Sequence, residues 1–186
     1  MSAHQTRHTA LIPTTSSHYY FQLPSLRRSI ASLTIRADIV DTGNPKIKSA
    51  SIIINAPVSK IFDVVADPTM HAVIDGSKSV KSVIFGPDRL ALGDKFGMNM
   101  EIGVKYKITN TVVEFKENRL IAWRHLGRWV WRYEFKEVSP NQTVVTETFD
   151  GTKTPLNLWL KARKAYPHAE KAVAKTLVRL KEHCEK

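Results

Sequence analysis

The alternation of apolar and polar positions becomes regular only after residue 46. Before that point serine, threonine and histidine are scattered without a period, Pro13 and Pro24 interrupt the chain, and no acidic residue precedes Asp38. Such a segment buries too little apolar area to offset the entropy lost on ordering. We therefore predict that residues 1–46 are a disordered extension, dispensable for folding, and that residues 47–186 form one domain.

The predicted domain opens with one strand and a helix. Ser49–Asn55 is rich in β-branched residues and predicts the strand. Pro57 suits the first turn of a helix, and apolar residues recur at helical spacing over 58–65. Pro68 ends this helix, because proline disfavours helical geometry in the residue before it. A short helical or loop segment is expected next.

Six further strands and a last helix follow in the pattern. The predicted strands are Ser79–Phe85, Asp94–Ile102, Val104–Phe115, Arg119–Leu126, Arg128–Val138 and Thr143–Asp150. Their short connections predict an antiparallel sheet, because parallel strands need long crossovers. Residues 155–186 return to helical period, with Pro167 either kinking the helix or lying in its first turn. A sheet with one apolar face and a long amphipathic helix bury these surfaces against each other, which predicts an α+β fold.

This order of elements and several stretches of sequence resemble the START-like (SRPBCC) superfamily, which includes polyketide cyclase/dehydrase-like and Bet v 1-like proteins. Residues 54–68 resemble its opening, and residues 121–125, 131–135 and 143–150 resemble strands of the polyketide cyclase-like branch. The resemblance covers residues 47–186. It implies a helix-grip fold, in which a curved seven-stranded antiparallel sheet, with short helices after its first strand, wraps a long C-terminal helix. It also implies a cavity between them for lipids, sterols, polyketides or other apolar compounds.

Period-two alternation sorts the strand residues into two faces, and the face richer in large apolar groups should point at the helix. We predict that a small apolar ligand contacts Met98, Met100, Tyr106, Asn110, Trp123, His125, Trp129, Trp131 and Tyr133 on this face. Aromatic rings and flexible thioethers suit an adaptable apolar pocket. The alternative is that these side chains simply fill the core.

The polar residues on the same face are Asn110 and His125, and Glu147, His71 and Asp75 are candidates to join them. A buried polar group left unpaired costs roughly 1–3 kcal/mol, so each needs a partner in the protein, a water or a ligand. One hypothesis is therefore that Asn110 and His125 orient a carbonyl or hydroxyl of the ligand. A second is a cyclase/dehydrase-type enzyme in which His125, with Glu147 or Asp75, acts as acid or base. No residue matches an established cyclase active site, which favours binding.

Composition argues against several other classes. The single cysteine, Cys184, rules out an intramolecular disulfide and a thiolate zinc cluster. Histidines at ligand spacing and glycine-rich phosphate loops are missing from the sequence, so we predict neither a metal nor a cofactor. No apolar run approaches the roughly 20 residues of a membrane-spanning helix, and a secretory signal is lacking. A cytoplasmic protein is expected, with an organelle transit peptide around Arg27, Arg28 and Arg36 as the alternative.

The net charge of +11 is unevenly distributed. Residues 153–186 hold nine basic and three acidic side chains, whereas the predicted sheet is nearly neutral. The preferred explanation is a solvated face on the last helix, so a nucleic-acid partner is not predicted. A basic interaction module for nucleic acid or anionic membrane is the third functional hypothesis. The sequence leaves the oligomeric state open.

Overall fold

The strands form a single curved antiparallel sheet, and the last helix lies on one face of it. The computed structural model describes residues 34–186, so residues 1–33 of the predicted extension lie outside the described residues. The elements are β1 (Asp38–Val40), β2 (Ile47–Ile54), α1 (Val58–Ala66), a 3₁₀ turn (Pro68–Met70), α2 (His71–Ile74), β3 (Val80–Phe85), β4 (Lys95–Ile102), β5 (Val104–Lys116), β6 (Leu120–Arg124), β7 (Val130–Ser139), β8 (Gln142–Asp150), α3 (Asn157–Ala162) and α4 (Ala165–Cys184). The strand order is β1-β2-β8-β7-β6-β5-β4-β3.

The C-terminal helix α4 packs across β2 and β8 and completes the predicted helix-grip fold. Its buried side includes Ala169, Val173, Leu177 and Leu180, which continue the predicted apolar period. Pro167 lies in the first turn of α4, where a backbone N–H would have no partner within the helix, so proline removes no hydrogen bond there. No helix within residues 34–186 is both long and apolar enough to cross a membrane.

The helix α1 closes one end of the space between the sheet and α4. Its Phe62 side chain is buried and meets the rings of Phe115 and Phe135 edge-on, with centroids 5.6 and 5.2 Å away. Asp67 ends α1 as predicted and starts the 3₁₀ turn, because its Oδ1 accepts a hydrogen bond from the Thr69 N–H at 2.7 Å.

The sheet has eight strands rather than the seven that were predicted. The extra strand is β1, which pairs with β2 through Asp38 opposite Ser51 and lies inside the predicted extension. A three-residue edge strand with exposed side chains carries no period that sequence analysis can detect. Two predicted strands were also too long, because β6 ends at Arg124 and β7 begins at Val130.

A chain that begins at residue 34 is expected to be more stable than one that begins at residue 47, by about 1–2 kcal/mol. Both the β1–β2 hydrogen bonds and the packing of Ala37 against the core are lost in the shorter chain. Urea unfolding of the two chains measures the difference. Equal midpoints would show that β1 contributes no stability and would support a boundary at residue 46.

Candidate functional site

A cavity of about 110 Å³ lies between the sheet and α4. Strands β3 to β8 supply most of its wall, and α2, the loop after α2 and α4 supply the rest. Six of the nine residues predicted to contact a ligand line it: Met98, Met100, Asn110, Trp123, Trp131 and Tyr133. Sequence alternation identified these six residues because each lies in a regularly paired part of its strand. In such a part every second side chain points to the same face of the sheet.

The structure does not bring the other three predicted residues to the cavity. Tyr106 is on the inward face of β5, but it lies near the start of the strand and 38% of it is exposed. His125 and Trp129 lie in the turn between β6 and β7, where their rings meet edge-on with centroids 4.0 Å apart. Alternation fails in this turn because Arg128 adopts a left-handed backbone conformation, with φ of 62°.

The position of His125 does not favour the predicted acid–base role. Its Nδ1 accepts a hydrogen bond from the Gly127 N–H at 3.2 Å, and it lines a separate surface groove with Lys95, Lys107 and Arg128. Burial lowers the pKa of His125 to about 4. The imidazole is therefore neutral at pH 7 and is a weak base.

Three stacked rings form one wall of the cavity. The His71 ring lies 4.8 Å from that of Trp123, and the Trp123 ring lies 5.5 Å from that of Tyr133. His71 Nε2 is 2.9 Å from the Val65 carbonyl oxygen, which assigns the ring proton to Nε2 and leaves the lone pair on Nδ1. Burial lowers the pKa of His71, although the bond to Val65 and the charges of Asp67 and Asp75 oppose the shift. His71 is thus a neutral acceptor.

Glu147 is the least satisfied polar side chain of the site. It is 3% exposed, lies on β8 directly opposite Tyr133, and its Oε2 has no hydrogen-bond partner among residues 34–186. Burial raises the pKa of Glu147 well above its ordinary value; contact with the Tyr133 hydroxyl lowers it in part, and the charge of Asp75 raises it further. Glu147 therefore resists ionisation and, when protonated, supplies both a donor and an acceptor.

The loop after α2 was missed as a source of cavity residues, apart from Asp75. The Asp75 carboxylate accepts hydrogen bonds from the Ser77 hydroxyl at 2.7 Å and the Val80 N–H at 2.8 Å. Gly76 lies against α4, because its N–H donates to Thr176 Oγ1 at 2.9 Å and a Cβ there would lie 2.3 Å from the Thr176 nitrogen. Strand alternation does not reach a loop, whereas Thr176 on the apolar side of α4 was detectable from the helical period.

The cavity is lined by carboxyl groups and by no cationic side chain of the described residues. The carboxyl groups are those of Asp75 and Glu147. Residues 34–186 also contain no group of three or more histidine, cysteine, aspartate or glutamate side chains placed to hold a metal ion. The cavity therefore offers carboxyl, amide, imidazole and hydroxyl groups set among aromatic and thioether walls. This combination suits a partly apolar guest that forms hydrogen bonds.

Comparison with known proteins agrees with this geometry. Residues 48–185 match the family described as polyketide cyclase/dehydrase and lipid transport. Among curated proteins, the uncharacterized protein Rv0088 of Mycobacterium tuberculosis is 42% identical over 113 residues, which are 60% of this chain and 50% of that protein. The chain thus spans about half the length of the curated relatives it matches.

Solved structures share the fold at low sequence identity. Protein Ms6760 of Mycobacterium smegmatis has a TM-score of 0.56 at 16% identity, over 75% of this chain and 93% of that one. The Polyketide_cyc-like protein Cgl2372 of Corynebacterium glutamicum has a TM-score of 0.55 at 18% identity, over 75% and 91%. The family match supports a ligand-binding or cyclase-like role. Since that match covers most of the domain, the chain belongs to the polyketide cyclase/dehydrase and lipid transport family of the START-like superfamily.

Proposed function

We propose that the protein binds a small, uncharged and largely apolar ligand in the cavity, with a hydroxyl or carbonyl group of the ligand at Glu147. The observation that carries this proposal is the buried Oε2 of Glu147, which lines the cavity without a hydrogen-bond partner in the described structure. A buried polar atom in this state costs roughly 1–3 kcal/mol. A ligand that pairs with it removes that cost, so binding and stabilisation are coupled.

The volume limits what the cavity encloses. An engineered apolar cavity of about 150 Å³ in another protein binds benzene, so about 110 Å³ suits a single ring or a short branched chain. Met98 and Met100 lie in the wall, and unbranched thioethers adapt their rotamers to different guests. Larger ligands are accommodated by movement of these side chains or by extending through the opening.

The charge of the cavity lining disfavours acidic ligands. A ligand carboxylate would lie in a low-dielectric space beside the carboxylate of Asp75, and no basic side chain of the described residues faces it. A neutral hydroxyl or carbonyl instead finds the carboxyl of Glu147, the amide of Asn110 and the free Nδ1 of His71. We expect alcohols and ketones to bind in preference to fatty or aromatic acids.

Catalysis of the cyclase type is the alternative, with Glu147 kept from the sequence-based hypothesis and His71 in place of His125. His125 is outside the cavity, whereas His71 and Glu147 both line it. A carboxyl of raised pKa and a neutral imidazole are the pair that general acid–base chemistry on a carbonyl compound would use. The binding proposal is preferred because it needs only the unpaired carboxyl.

Displacement of a fluorescent apolar probe by three compounds with one ring skeleton tests the binding proposal. Cyclohexanol and cyclohexanone are expected to displace the probe at concentrations at least about tenfold below that of cyclohexanecarboxylate. Glu147→Leu removes the polar partner and should abolish the preference of the cavity for cyclohexanol over methylcyclohexane. The matched control is Glu134→Leu on the exposed side of β7, which should keep the preference. Equal displacement by the carboxylate, or no saturable probe site, would contradict the proposal.

A further inference from the structure

The cavity opens toward one end of the sheet. The lining residues that solvent partly reaches include Val80 and Trp131, which are within the first two residues of β3 and β7, and Ile108 in the first half of β5. Those that are deeper, such as Met98 and Tyr133, are buried. Since α1 closes the other end, a ligand enters from the end that holds the starts of β3, β5 and β7.

Large apolar side chains are exposed at this same end. We call them the apolar rim, and they are Ile102, Val104, Leu126, Leu156, Leu158 and Trp159. The register places these strand ends at the same end of the sheet, because Val130 at the start of β7 pairs with Arg124 at the end of β6 and with Asp150 at the end of β8. The tip of the β4–β5 hairpin extends beyond β6 in the same direction.

Two side chains of the apolar rim are almost fully exposed to solvent. Leu126 is 97% exposed and Leu158 is 81% exposed. Both lie in an ordered frame, since the Thr154 hydroxyl donates to the Gly127 carbonyl oxygen at 2.7 Å and ties the segment before α3 to the β6–β7 turn. Several large apolar side chains exposed at the loop tips of one end mark an interaction surface.

Basic residues surround the apolar rim. Residues 151–164 contain Lys153, Lys161, Arg163 and Lys164 and no acidic residue. The β4–β5 hairpin and the β6–β7 turn add Lys105, Lys107, Arg124 and Arg128. The neighbouring strand ends add the acids Glu101, which is paired with Lys81 at 3.6 Å, and Asp150, so basic side chains remain in excess. The field at this end is therefore positive.

The basic residues of α4 are less suited to such a surface. Arg179 donates to the Asp75 carbonyl oxygen at 2.8 Å, and Lys181 donates to the Ile53 carbonyl oxygen at 2.8 Å. Arg179 thus ties α4 to the loop after α2, and Lys181 ties it to β2. The basic residues in and around α3 lie closer to the apolar rim, whereas the sequence-based alternative used those of the last helix.

We infer that the apolar rim and its basic border dock the protein on an anionic lipid bilayer, with the opening of the cavity facing the bilayer. Leucine and tryptophan side chains inserted among headgroups, with lysine and arginine beside the phosphates, are the pattern of interfacial membrane binding. Charge complementarity favours anionic lipid over a neutral one. Projecting aliphatic tips favour a bilayer over nucleic acid, which would need groups that stack on bases or bond to them.

Flotation of the full-length protein with vesicles tests this docking. Vesicles of phosphatidylcholine and phosphatidylglycerol are expected to bind it at least about tenfold more tightly than vesicles of phosphatidylcholine alone, with weaker binding at high salt. Leu158→Asp with Trp159→Ser should reduce the affinity at least about tenfold. Leu92→Asp with Val138→Asp, which changes exposed apolar residues at the closed end, should not.

Two double charge-reversal variants distinguish the basic residues in and around α3 from those on α4. Lys153→Glu with Lys161→Glu should abolish the preference for anionic vesicles, and Lys171→Glu with Lys175→Glu on α4 should leave it. Equal loss in both pairs, or no preference for anionic vesicles, would overturn the inference. Binding of short duplex DNA, or self-association lost in Leu158→Asp, in the absence of vesicle binding would overturn it as well. No ligand is needed in these experiments, so their failure leaves the proposed function standing.

Discussion

Replacing Trp123 by alanine is expected to lower the free energy of unfolding by about 3–5 kcal/mol, and replacing Trp131 by alanine is expected to lower it by clearly less. Trp123 is buried in the ring stack between His71 and Tyr133 and also meets Phe96 edge-on, with centroids 5.7 Å apart. Its removal leaves a large void that such a rigid stack cannot fill. Urea unfolding of both variants gives the two losses.

Trp131 should instead show its effect in ligand binding. It is only partly buried at the opening of the cavity, where its ring lies 4.9 Å from that of Phe149. Fewer neighbouring atoms are lost on truncation, whereas the entrance widens and an aromatic contact for the guest disappears. We expect a changed affinity for a fluorescent apolar probe in Trp131→Ala. Equal destabilisation by both substitutions, with unchanged probe affinity, would make Trp131 part of the core and weaken the case for an open cavity.

The inward face of the sheet was predictable from sequence because period-two alternation is a direct consequence of extended backbone. It holds for Met98, Trp123 and Tyr133, which lie inside regularly paired strands. It fails for His125 and Trp129, since the left-handed conformation of Arg128 changes the direction of the chain between them. A sequence pattern does not reveal where pairing stops, because that depends on the neighbouring strand.

The polar part of the site was predictable only in outline. Alternation along β8 places Glu147 inward, and sequence analysis named it as a candidate. Whether its carboxyl is paired depends on the distances to Tyr133 and to residues of other elements, which no local pattern contains. The contribution of Ser77 and Thr176 likewise follows from the close approach of the Gly76 backbone to α4, a tertiary contact.

Glu147→Gln is expected to make the protein progressively more stable than wild type as the pH rises. The folded state raises the pKa of Glu147 above its ordinary value of 4.5, mainly through burial. Below that value both the folded and the unfolded chain carry the proton, so no pH-dependent difference arises. Above it the unfolded chain releases a proton that the folded chain keeps, and the free energy of unfolding falls by about 1.4 kcal/mol per pH unit until the raised pKa is reached.

Urea unfolding of wild type and Glu147→Gln at several pH values between about 4 and 7 measures this slope, because the other titrating groups are the same in both chains and cancel in the difference. The matched control is Glu134→Gln on the exposed side of β7, which removes a carboxylate that folding does not bury. A flat curve for Glu147→Gln would mean that Glu147 is ionised and compensated in the folded protein. The cavity would then lack the proton donor that a ligand carbonyl needs. Saturation with cyclohexanol should preserve the rising difference, because a hydroxyl bonded to the protonated carboxyl keeps the pKa of Glu147 raised.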